Sequence, residues 1–231
     1  MSRSLIVFAS GSAEGGGSGF RELVEHSFLS QSFLDVHVLA VVSNYANGGV
    51  KKLAEKMRVR NFHFFDGPYT ADNYREIVHR YGADFVALSG WLKKVSGLNP
   101  AKTVNIHPGP LSGGGKSGPF GGPGMYGHHV HEAVIAAYRR GEVKESAVTM
   151  HFVTEEYDSG PIITRWPVLI RPEDTPETLA TRVNEKERAI QSWVMNLVVR
   201  GHVRLIRDGD GWRIKASEEM CAVLPGTEAC P

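Results

Sequence analysis

Short apolar runs alternate with segments of helical periodicity through the first half of the chain, and no other feature of the sequence constrains the fold as strongly. Runs such as 36–42 and 85–88 have the length of a buried strand and end at a serine. Apolar strands separated by amphipathic helices predict a parallel sheet with helices on both faces. The predicted strands are 5–9, 36–42, 62–65, 85–88 and 103–106, and the predicted helices are 20–29, 50–58 and 71–81.

The second half of the chain predicts further elements of the same fold. Thr175 precedes Pro176, with Glu177 in the first turn, which is typical of a helix start. Asp208-Gly209-Asp210-Gly211 predicts the turn of a β-hairpin. We therefore predict an α/β fold with an open, mostly parallel sheet, a single domain at 1–200, and a C-terminal β-hairpin and tail at 201–231. The remaining predicted elements are a helix at 125–140, strands at 147–153 and 162–170, and a helix that ends at 199.

Charge and hydropathy exclude several classes of partner. The 231 residues carry a formal net charge of +1, and 42% of them are hydrophobic. This balance gives no general electrostatic attraction to nucleic acid or to an anionic membrane. No apolar stretch approaches the roughly 20 residues that span a bilayer. We therefore expect small-molecule substrates, with any anionic ligand held by a local site. Independently of these properties, we expect a monomer or a homodimer.

The two cysteines, Cys221 and Cys230, both lie near the end of the sequence. They form no CxxC pair and have no neighbouring histidines in a zinc-binding pattern, so we expect no metal. Because the cytoplasm keeps thiols reduced, the expected cytoplasmic location favours free thiols over a disulfide within the tail.

A glycine-rich loop at residues 10–19, here called the glycine loop, joins the first predicted strand to the first predicted helix. Bare backbone N–H groups at a helix N-terminus suit a phosphate. The structural alternative is a flexible turn. Gly11 is followed by Ser12, Ala13 and Glu14, which breaks the G-x-G-x-x-G pattern of dinucleotide sites. A phosphate of the mononucleotide type therefore fits better than NAD.

A second glycine-rich segment, residues 112–124, contains Gly115-Lys116-Ser117 and resembles a P-loop only superficially. A P-loop needs glycine at position 110, which is Pro110 in this chain. The composition favours a mobile lid or a surface loop instead.

Asn105, His107 and Asp158 are the candidate reacting groups. Side chains two residues apart in a strand point to the same face, which places the amide of Asn105 beside the imidazole of His107. Such a pair can stabilise an oxyanion and move a proton, as acyl transfer requires. Asp158 is either a turn residue or a carboxylate that raises the pKa of His107 and keeps it cationic. We expect all three to line an open cleft.

The order and spacing of these motifs resemble the glycinamide ribonucleotide formyltransferase family of purine biosynthesis, which implies a Rossmann-like fold. The resemblance covers the chain from Leu5 to about Ile206. The residues that carry it are the glycine loop, Leu88-Ser89-Gly90-Trp91-Leu92, Asn105-Ile106-His107-Pro108, His151-Phe152-Val153-Thr154, Asp158-Ser159-Gly160-Pro161-Ile162-Ile163, and Thr181-Arg182-Val183-Asn184 with Glu187.

The resemblance implies formyl transfer from 10-formyltetrahydrofolate to the primary amine of glycinamide ribonucleotide. Asn105, His107 and Asp158 would be the catalytic residues. The ribotide would contact Gly17, Ser18 and Gly19 through its phosphate, and Asn184 and Glu187 through its sugar and amine end. The folate would lie against Leu92, Lys93, Lys94, Val95, Asn105, Thr154 and Tyr157.

The chain departs from the family pattern, and other functions share its motifs. The glycine loop and the segment after His107 are longer than usual, an arginine near Ala71 is missing, and Lys93 stands where arginine is common. Sugar-nucleotide and methionyl-tRNA formyltransferases, and the hydrolase that deformylates formyl-folate, use the same Asn-x-His and Asp. The tRNA enzyme needs a further basic domain and the hydrolase an N-terminal regulatory domain. A non-catalytic folate- or nucleotide-binding module is the non-enzymatic alternative.

Overall fold

The computed structural model describes residues 3–28 and 34–229, and within these ranges the chain forms nine β-strands, six α-helices and one short 3-10 helix. The strands are β1 (Arg3–Phe8), β2 (Val36–Ser43), β3 (Asn61–Phe64), β4 (Phe85–Ser89), β5 (Thr103–His107), β6 (Glu145–Phe152), β7 (Ile162–Leu169), β8 (Val203–Asp208) and β9 (Gly211–Ala216). The α-helices are α1 (Ser18–Phe28), α2 (Gly49–Lys56), α3 (Ala71–Tyr81), α4 (His128–Arg139), α5 (Pro176–Val199) and α6 (Glu218–Val223), and the 3-10 helix is Pro100–Lys102. The predicted end of the first helix, Leu29, lies outside the described residues.

Strands β1 to β7 form one sheet in the order β3-β2-β1-β4-β5-β6-β7 among the described residues. β1 pairs in parallel with β2 and with β4, and β2 pairs in parallel with β3. β6 and β7 pair antiparallel. The predicted α/β fold with an open, mostly parallel sheet is confirmed, and so is the C-terminal hairpin, formed by β8 and β9.

The chain divides into two compact units. Unit 1 comprises Met1–Asn105 with Gln191–Gly201, and unit 2 comprises Ile106–Ile190 with His202–Pro231. The sequence-based division into a domain at 1–200 and a tail at 201–231 stays a prediction.

Unit 1 is organised around β1, which has a parallel neighbour on each side. Its residues Leu5, Ile6, Val7 and Phe8 have no solvent exposure, as expected of a strand covered on both faces. The ring of Phe8 packs against the rings of Tyr74 and Trp91, and the Trp91 indole N–H donates to the Tyr74 hydroxyl at 3.0 Å. These contacts fix the segment that follows β4.

Unit 2 contains β6, β7, α4, the first part of α5, the hairpin β8–β9 and α6. Its core includes the buried apolar residues Val130, Val134, Val148, Met150, Phe152, Ile162, Ile163, Leu179 and Val183. Thr175 and Thr178 exchange hydrogen bonds at the start of α5, which begins at Pro176 as predicted. Arg182 binds Asp174 through two hydrogen bonds of 2.8 Å and so anchors the loop before the helix.

Residues 217–229, here called the tail segment, differ from what the sequence predicts. They contain α6, whose N-cap is the Ser217 hydroxyl, which accepts from the Met220 N–H. Cys221 is disulfide-bonded, so the expectation of free thiols is wrong for this residue, while Cys230 lies outside the described residues. That expectation rested on an assumed compartment and not on any property of the chain. Since disulfides are rare in reducing compartments, the cysteines no longer support a cytoplasmic location.

Candidate active site

His107 is the last residue of β5 and is buried in unit 2. Its side chain is 4% exposed. The imidazole Nε2 lies 2.6 Å from the carbonyl oxygen of Phe120 in the glycine-rich segment. A carbonyl oxygen only accepts, so Nε2 carries a proton and, in the neutral ring, Nδ1 presents a lone pair. His107 therefore does not line an open cleft, contrary to the sequence-based expectation.

Asp158 faces the unprotonated nitrogen of His107. Its Oδ2 lies 3.6 Å from His107 Nδ1 and accepts the backbone N–H of Gly122 at 3.0 Å. Its Oδ1 lies 3.5 Å from Nε2 of His151, a buried residue of β6. The structure thus brings two histidines and one carboxylate together, as the spacing of the motifs suggested for His107 and Asp158.

The turn after β6 aims Asp158 because its backbone is unusually constrained. Asp158 has a φ of 49°, in the left-handed region that aspartate tolerates better than most residues. Gly160 lies so close to β6 that a Cβ there would collide with the carbonyl group of Phe152. The turn therefore packs back onto the strand that carries His151.

The ionisation of the pair formed by His107 and Asp158 differs from the expectation for His107. Burial lowers the pKa of His107 below its ordinary value, and His151 lowers it further, although Asp158 and the Phe120 carbonyl each raise it. The prediction that Asp158 keeps His107 cationic is therefore wrong, because loss of solvation outweighs the nearby carboxylate. Burial raises the pKa of Asp158, but the His151 hydrogen bond, both histidine charges and the Gly122 N–H lower it to about 2.

These facts define what the pair can do chemically. At neutral pH, His107 is neutral and Asp158 is charged. His107 Nδ1 can accept a proton, and the cation so formed faces a carboxylate whose oxygens are held in place by Gly122 and His151. This arrangement suits a general base. Asn105 precedes His107 by two residues on β5, is half-buried and belongs to unit 1.

The glycine loop of unit 1 leads into α1 as predicted. Ser12 closes a turn with Gly15, in which the Ser12 N–H donates to the Gly15 carbonyl at 2.8 Å and the Gly15 N–H donates to the Ser12 hydroxyl at 2.9 Å. Gly17 has a φ of +83°, and its carbonyl accepts the Arg21 N–H at 2.9 Å. Ser18 is the first residue of α1. The predicted phosphate contacts, Gly17, Ser18 and Gly19, thus lie at a helix N-terminus.

Gly19 is required by close packing within unit 1. A Cβ at this position would collide with the Ser89 hydroxyl and the Gln191 carboxamide, which hydrogen-bond each other at 3.3 Å. Glycine here lets the first turn of α1 approach the end of β4.

The predicted folate contacts of unit 1, residues 92–95, follow β4. Leu92 is exposed, and its N–H donates to the Ser10 hydroxyl at 3.1 Å. The Lys93 ammonium lies 5.5 Å from the centre of the Tyr69 ring, and the Lys94 carbonyl accepts the Tyr74 hydroxyl. Val95 is buried, so its side chain contributes to the core of unit 1.

The predicted folate contacts of unit 2 belong to the turn that aims Asp158. Thr154 is half-buried, and its hydroxyl lies 3.5 Å from that of Ser159. Burial raises the pKa of the Tyr157 hydroxyl, and the charge of Asp158 raises it further. Tyr157 therefore stays protonated at neutral pH as a hydrogen-bond donor.

Asn184 and Glu187 lie one turn apart on α5, and the Asn184 amide approaches a Glu187 oxygen at 3.5 Å. Burial raises the pKa of Glu187 to about 7, although Asn184 opposes this shift. The two predicted ribotide contacts are thus brought together, with a carboxyl group that ionises near neutral pH.

Three groups at the site carry no predicted role: the imidazole of His151, the Phe120 carbonyl and the Gly122 N–H. His151 was recognisable as a polar residue within an apolar strand run. The other two are backbone groups, and no residue type marks them in a sequence.

No group of three or more histidine, cysteine, aspartate or glutamate side chains within residues 3–28 and 34–229 is arranged to hold a metal ion. Among the described helices, none is both long and apolar enough to cross a membrane.

The chain is similar to known proteins over most of its length. The family model described as formyl transferase matches residues 4–195. The chain is 32% identical over 218 residues to the chloroplastic phosphoribosylglycinamide formyltransferase of Arabidopsis thaliana, covering 90% of this chain and 69% of that protein. It is 31% identical over 204 residues to the trifunctional purine biosynthetic protein adenosine-3 of Bos taurus, covering 84% of this chain and only 18% of that protein.

A solved structure shows the same fold over nearly the whole chain. Glycinamide ribonucleotide transformylase 1 from Symbiobacterium toebii superposes with a TM-score of 0.72 at 27% identity, covering 92% of this chain and 93% of that one. The family match and the shared fold together show that this chain belongs to the formyl transferase family.

Proposed function

We propose that this protein transfers a formyl group from 10-formyltetrahydrofolate to the primary amine of glycinamide ribonucleotide. The observation that carries the proposal is the buried, neutral His107, whose Nδ1 lies 3.6 Å from the ionised Asp158, in a chain of this family. The names of the Arabidopsis and Symbiobacterium proteins support this acceptor.

His107 acts in this proposal as the base. As the amine nitrogen attacks the formyl carbon, it becomes acidic, and Nδ1 of His107 accepts its proton. The imidazolium is stabilised by Asp158 and then gives the same proton to the folate nitrogen that leaves. The proton and the electron pair of the broken carbon–nitrogen bond thus end on the leaving nitrogen. A base whose pKa lies below neutral is in its working form at neutral pH.

Asn105 and Asp158 support the two charges that develop. The Asn105 amide N–H is proposed to donate to the negative charge that grows on the formyl oxygen. Asp158 faces the positive charge that grows on His107, and its own oxygens are held by Gly122 and His151. Neither residue takes up or releases a proton in this scheme.

The binding contacts are proposed from each unit separately. Backbone N–H groups at the start of α1 would receive the phosphate, through Gly17, Ser18 and Gly19. Asn184 and Glu187 would contact the sugar and amine end of the ribotide. The folate would contact Leu92, Lys93, Lys94, Val95, Asn105, Thr154 and Tyr157. The absence of a nucleic-acid or membrane partner, a monomeric or homodimeric state and a cytoplasmic location stay predictions.

The deciding experiment measures formyl transfer from 10-formyltetrahydrofolate against a panel of acceptors. The panel contains glycinamide ribonucleotide, an amino-sugar nucleotide, methionyl-tRNA and buffer alone. We expect transfer to the ribotide, with His107→Ala as the control of strongly reduced activity. Preference for another amine would replace the acceptor, formate release in buffer alone would indicate a hydrolase, and no reaction at all would indicate a binding module.

A further inference from the structure

The tail segment runs beside the outer strand of unit 2. The Arg165 N–H donates to the Pro225 carbonyl at 2.7 Å, and the Glu228 N–H donates to the Ile162 carbonyl at 2.9 Å. The Thr164 hydroxyl also donates to the Pro225 carbonyl, at 2.9 Å. β7 is the last strand in the order of the sheet among the described residues. The tail segment therefore supplies hydrogen-bond partners to backbone groups on the outer edge of β7.

The carboxylate of Glu228 joins β7 to the glycine-rich segment. Its Oε2 accepts the Ile162 N–H at 2.9 Å, and its Oε1 accepts the Gly114 N–H at 2.6 Å. Hydrogen bonds to an ionised acceptor are stronger than those between neutral groups. Glu228 is half-buried, which limits competition from water. One side chain therefore fixes the tip of a segment whose composition alone favours mobility.

Hydrogen bonds and close packing within the glycine-rich segment connect Gly114 to the rest of the segment. The Lys116 N–H donates to the Gly113 carbonyl, and the Ser112 N–H donates to the Ser117 carbonyl. A Cβ at Gly118 would collide with the Ser112 hydroxyl. The Arg165 guanidinium donates to the Ser112 carbonyl at 3.0 Å, which adds a second link to β7.

The far end of the same segment touches the catalytic pair. A Cβ added at Gly121 would lie 3.1 Å from Ser117 Cβ and 3.2 Å from Asp158 Cβ. Gly121 therefore packs closely against the side chain of Asp158. The adjacent Phe120 carbonyl fixes His107, and the Gly122 N–H binds Asp158. The restraint at Gly114 and the orientation of the pair are therefore linked by contiguous contacts within unit 2.

We infer that Glu228 is a positioning residue for catalysis, which holds the glycine-rich segment so that Phe120 and Gly122 orient His107 and Asp158. The inference rests on the proposed role of His107 as the base. A shorter aspartate cannot span both N–H groups from this backbone position. A glutamine keeps one acceptor oxygen but turns an NH₂ group toward the other N–H, so it preserves one link and breaks one.

The test compares Glu228→Ala and Glu228→Gln with a matched control, Glu219→Gln, an exposed glutamate of the same tail segment. We expect kcat to fall about 10- to 100-fold in Glu228→Ala, because small displacements of catalytic groups are costly, and by less in Glu228→Gln. KM for the ribotide should stay within about twofold, since no ribotide contact is touched. The control should match wild type.

A second readout follows the site without substrate. The ring ¹⁵N and ¹H resonances of His107 report its Nε2 hydrogen bond and its titration, and amide exchange of Gly114 reports the bond to Glu228. In Glu228→Ala, Gly114 should exchange faster and His107 should titrate at lower pH, because the Phe120 carbonyl no longer supports the cation. If the alanine variant does not fold, Glu228→Gln decides through the same measurements.

The outcomes are distinguishable. Faster exchange at Gly114 with an unchanged His107 spectrum and unchanged kcat would overturn the positioning role and leave Glu228 with a local structural one. A loss that appears in KM alone would also overturn it. Absence of formyl transfer by wild type would sink the proposed function, while the His107 spectrum would still decide whether Glu228 orients this ring.

Discussion

Nε2 of His107 lies 2.6 Å from the carbonyl oxygen of Phe120, thirteen residues further along the chain. This hydrogen bond selects the tautomer, because only a protonated Nε2 can donate to a carbonyl. The lone pair on Nδ1 is then directed toward Asp158. The bond also explains how a buried histidine can work as a base with a carboxylate nearby: the carbonyl and the carboxylate stabilise its cation only once a proton arrives.

Asp158→Asn should slow formyl transfer and move its pH dependence. Asp158 raises the pKa of His107, so its replacement lowers that pKa further below the ordinary value. The rise of kcat/KM with pH that reports His107 should therefore shift to lower pH. Turnover should fall on the order of 10²–10³-fold, as for loss of one preorganised group. Glu155→Gln, at an exposed position of the same turn, is the control.

Asn105→Ala and His107→Ala should each reduce turnover by a similar factor. Because all three residues act on one transition state, double variants should lose far less than the product of the single losses. Rate measurements on the three singles and the three doubles check this. Full multiplicative losses would mean that the residues act in separate steps, and a His107→Ala protein with most of its rate would remove the proposed mechanism.

The elements that the sequence predicted are those with local signals. Helix α3 has the predicted bounds because Thr70 caps its N-terminus and Gly82, with a φ of 61°, ends it. Strand β1 was predictable from an apolar run. Helix α6 carries no apolar periodicity and has no buried residue, and its start is defined by the Ser217 hydroxyl, which accepts from the Met220 N–H.

The sequence was sufficient to predict which residues of the candidate site meet, but not whether each of them is charged. The motif spacing indicated that His107 and Asp158 meet. The pKa of His107 depends first on how deeply the folded chain buries the imidazole. It also depends on the hydrogen bond to the Phe120 carbonyl and on the charge of His151, which come from two other segments. Glu228 was not predictable, because its partners are backbone N–H groups of distant residues.

Gly17→Ala should weaken binding of the ribotide and leave folate binding nearly unchanged. Gly17 has a φ of +83°, and an added Cβ would lie 3.2 Å from Leu53, so the turn before α1 must shift. The backbone N–H groups that are proposed to contact the phosphate would shift with it. Gly15→Ala is the matched control, since its added Cβ meets nothing closer than 3.8 Å and its φ is not positive. Calorimetric titration of both ligands checks this, and equal loss of both would point to a folding defect.

Glu187→Gln should change how stability depends on pH. The folded protein holds the Glu187 pKa at about 7, above the 4.5 of an unperturbed glutamate. Between these values the folded state binds more protons than the unfolded state, so stability falls as pH rises from about 4.5 to 7. The loss is at most on the order of 3 kcal/mol and is reduced by the partial exposure of the side chain. Urea unfolding across this range should show a smaller decline in the variant, and equal declines would contradict the raised pKa.

His131→Leu should protect the protein against mild acid. The pH dependence that His131 causes has the opposite sign to that of Glu187. Burial, and to a lesser extent the charges of His128 and His107, lower the pKa of His131 from the ordinary 6.5 to about 4. Its Nδ1 has no hydrogen-bond partner among the described residues, so no acceptor stabilises a proton on that nitrogen. Between about pH 6.5 and 4 the unfolded state binds the extra proton, and stability falls as pH falls.

The shift in the pKa of His131 corresponds to a loss on the order of 3 kcal/mol between neutral pH and about pH 4, and His131→Leu should recover most of it. His129→Gln is the matched control, because His129 lies on the same helix with 59% of its side chain exposed. Urea unfolding at several pH values gives the free energy of unfolding, whose decline toward acid pH is here called the acid limb. This decline should be smaller in His131→Leu and the same as in wild type in His129→Gln. Since His107 is also buried and neutral, some loss of stability in acid should remain in His131→Leu, and it should be smaller again when His107 is replaced as well. An unchanged limb in His131→Leu would mean that His131 does not stay neutral in the folded protein.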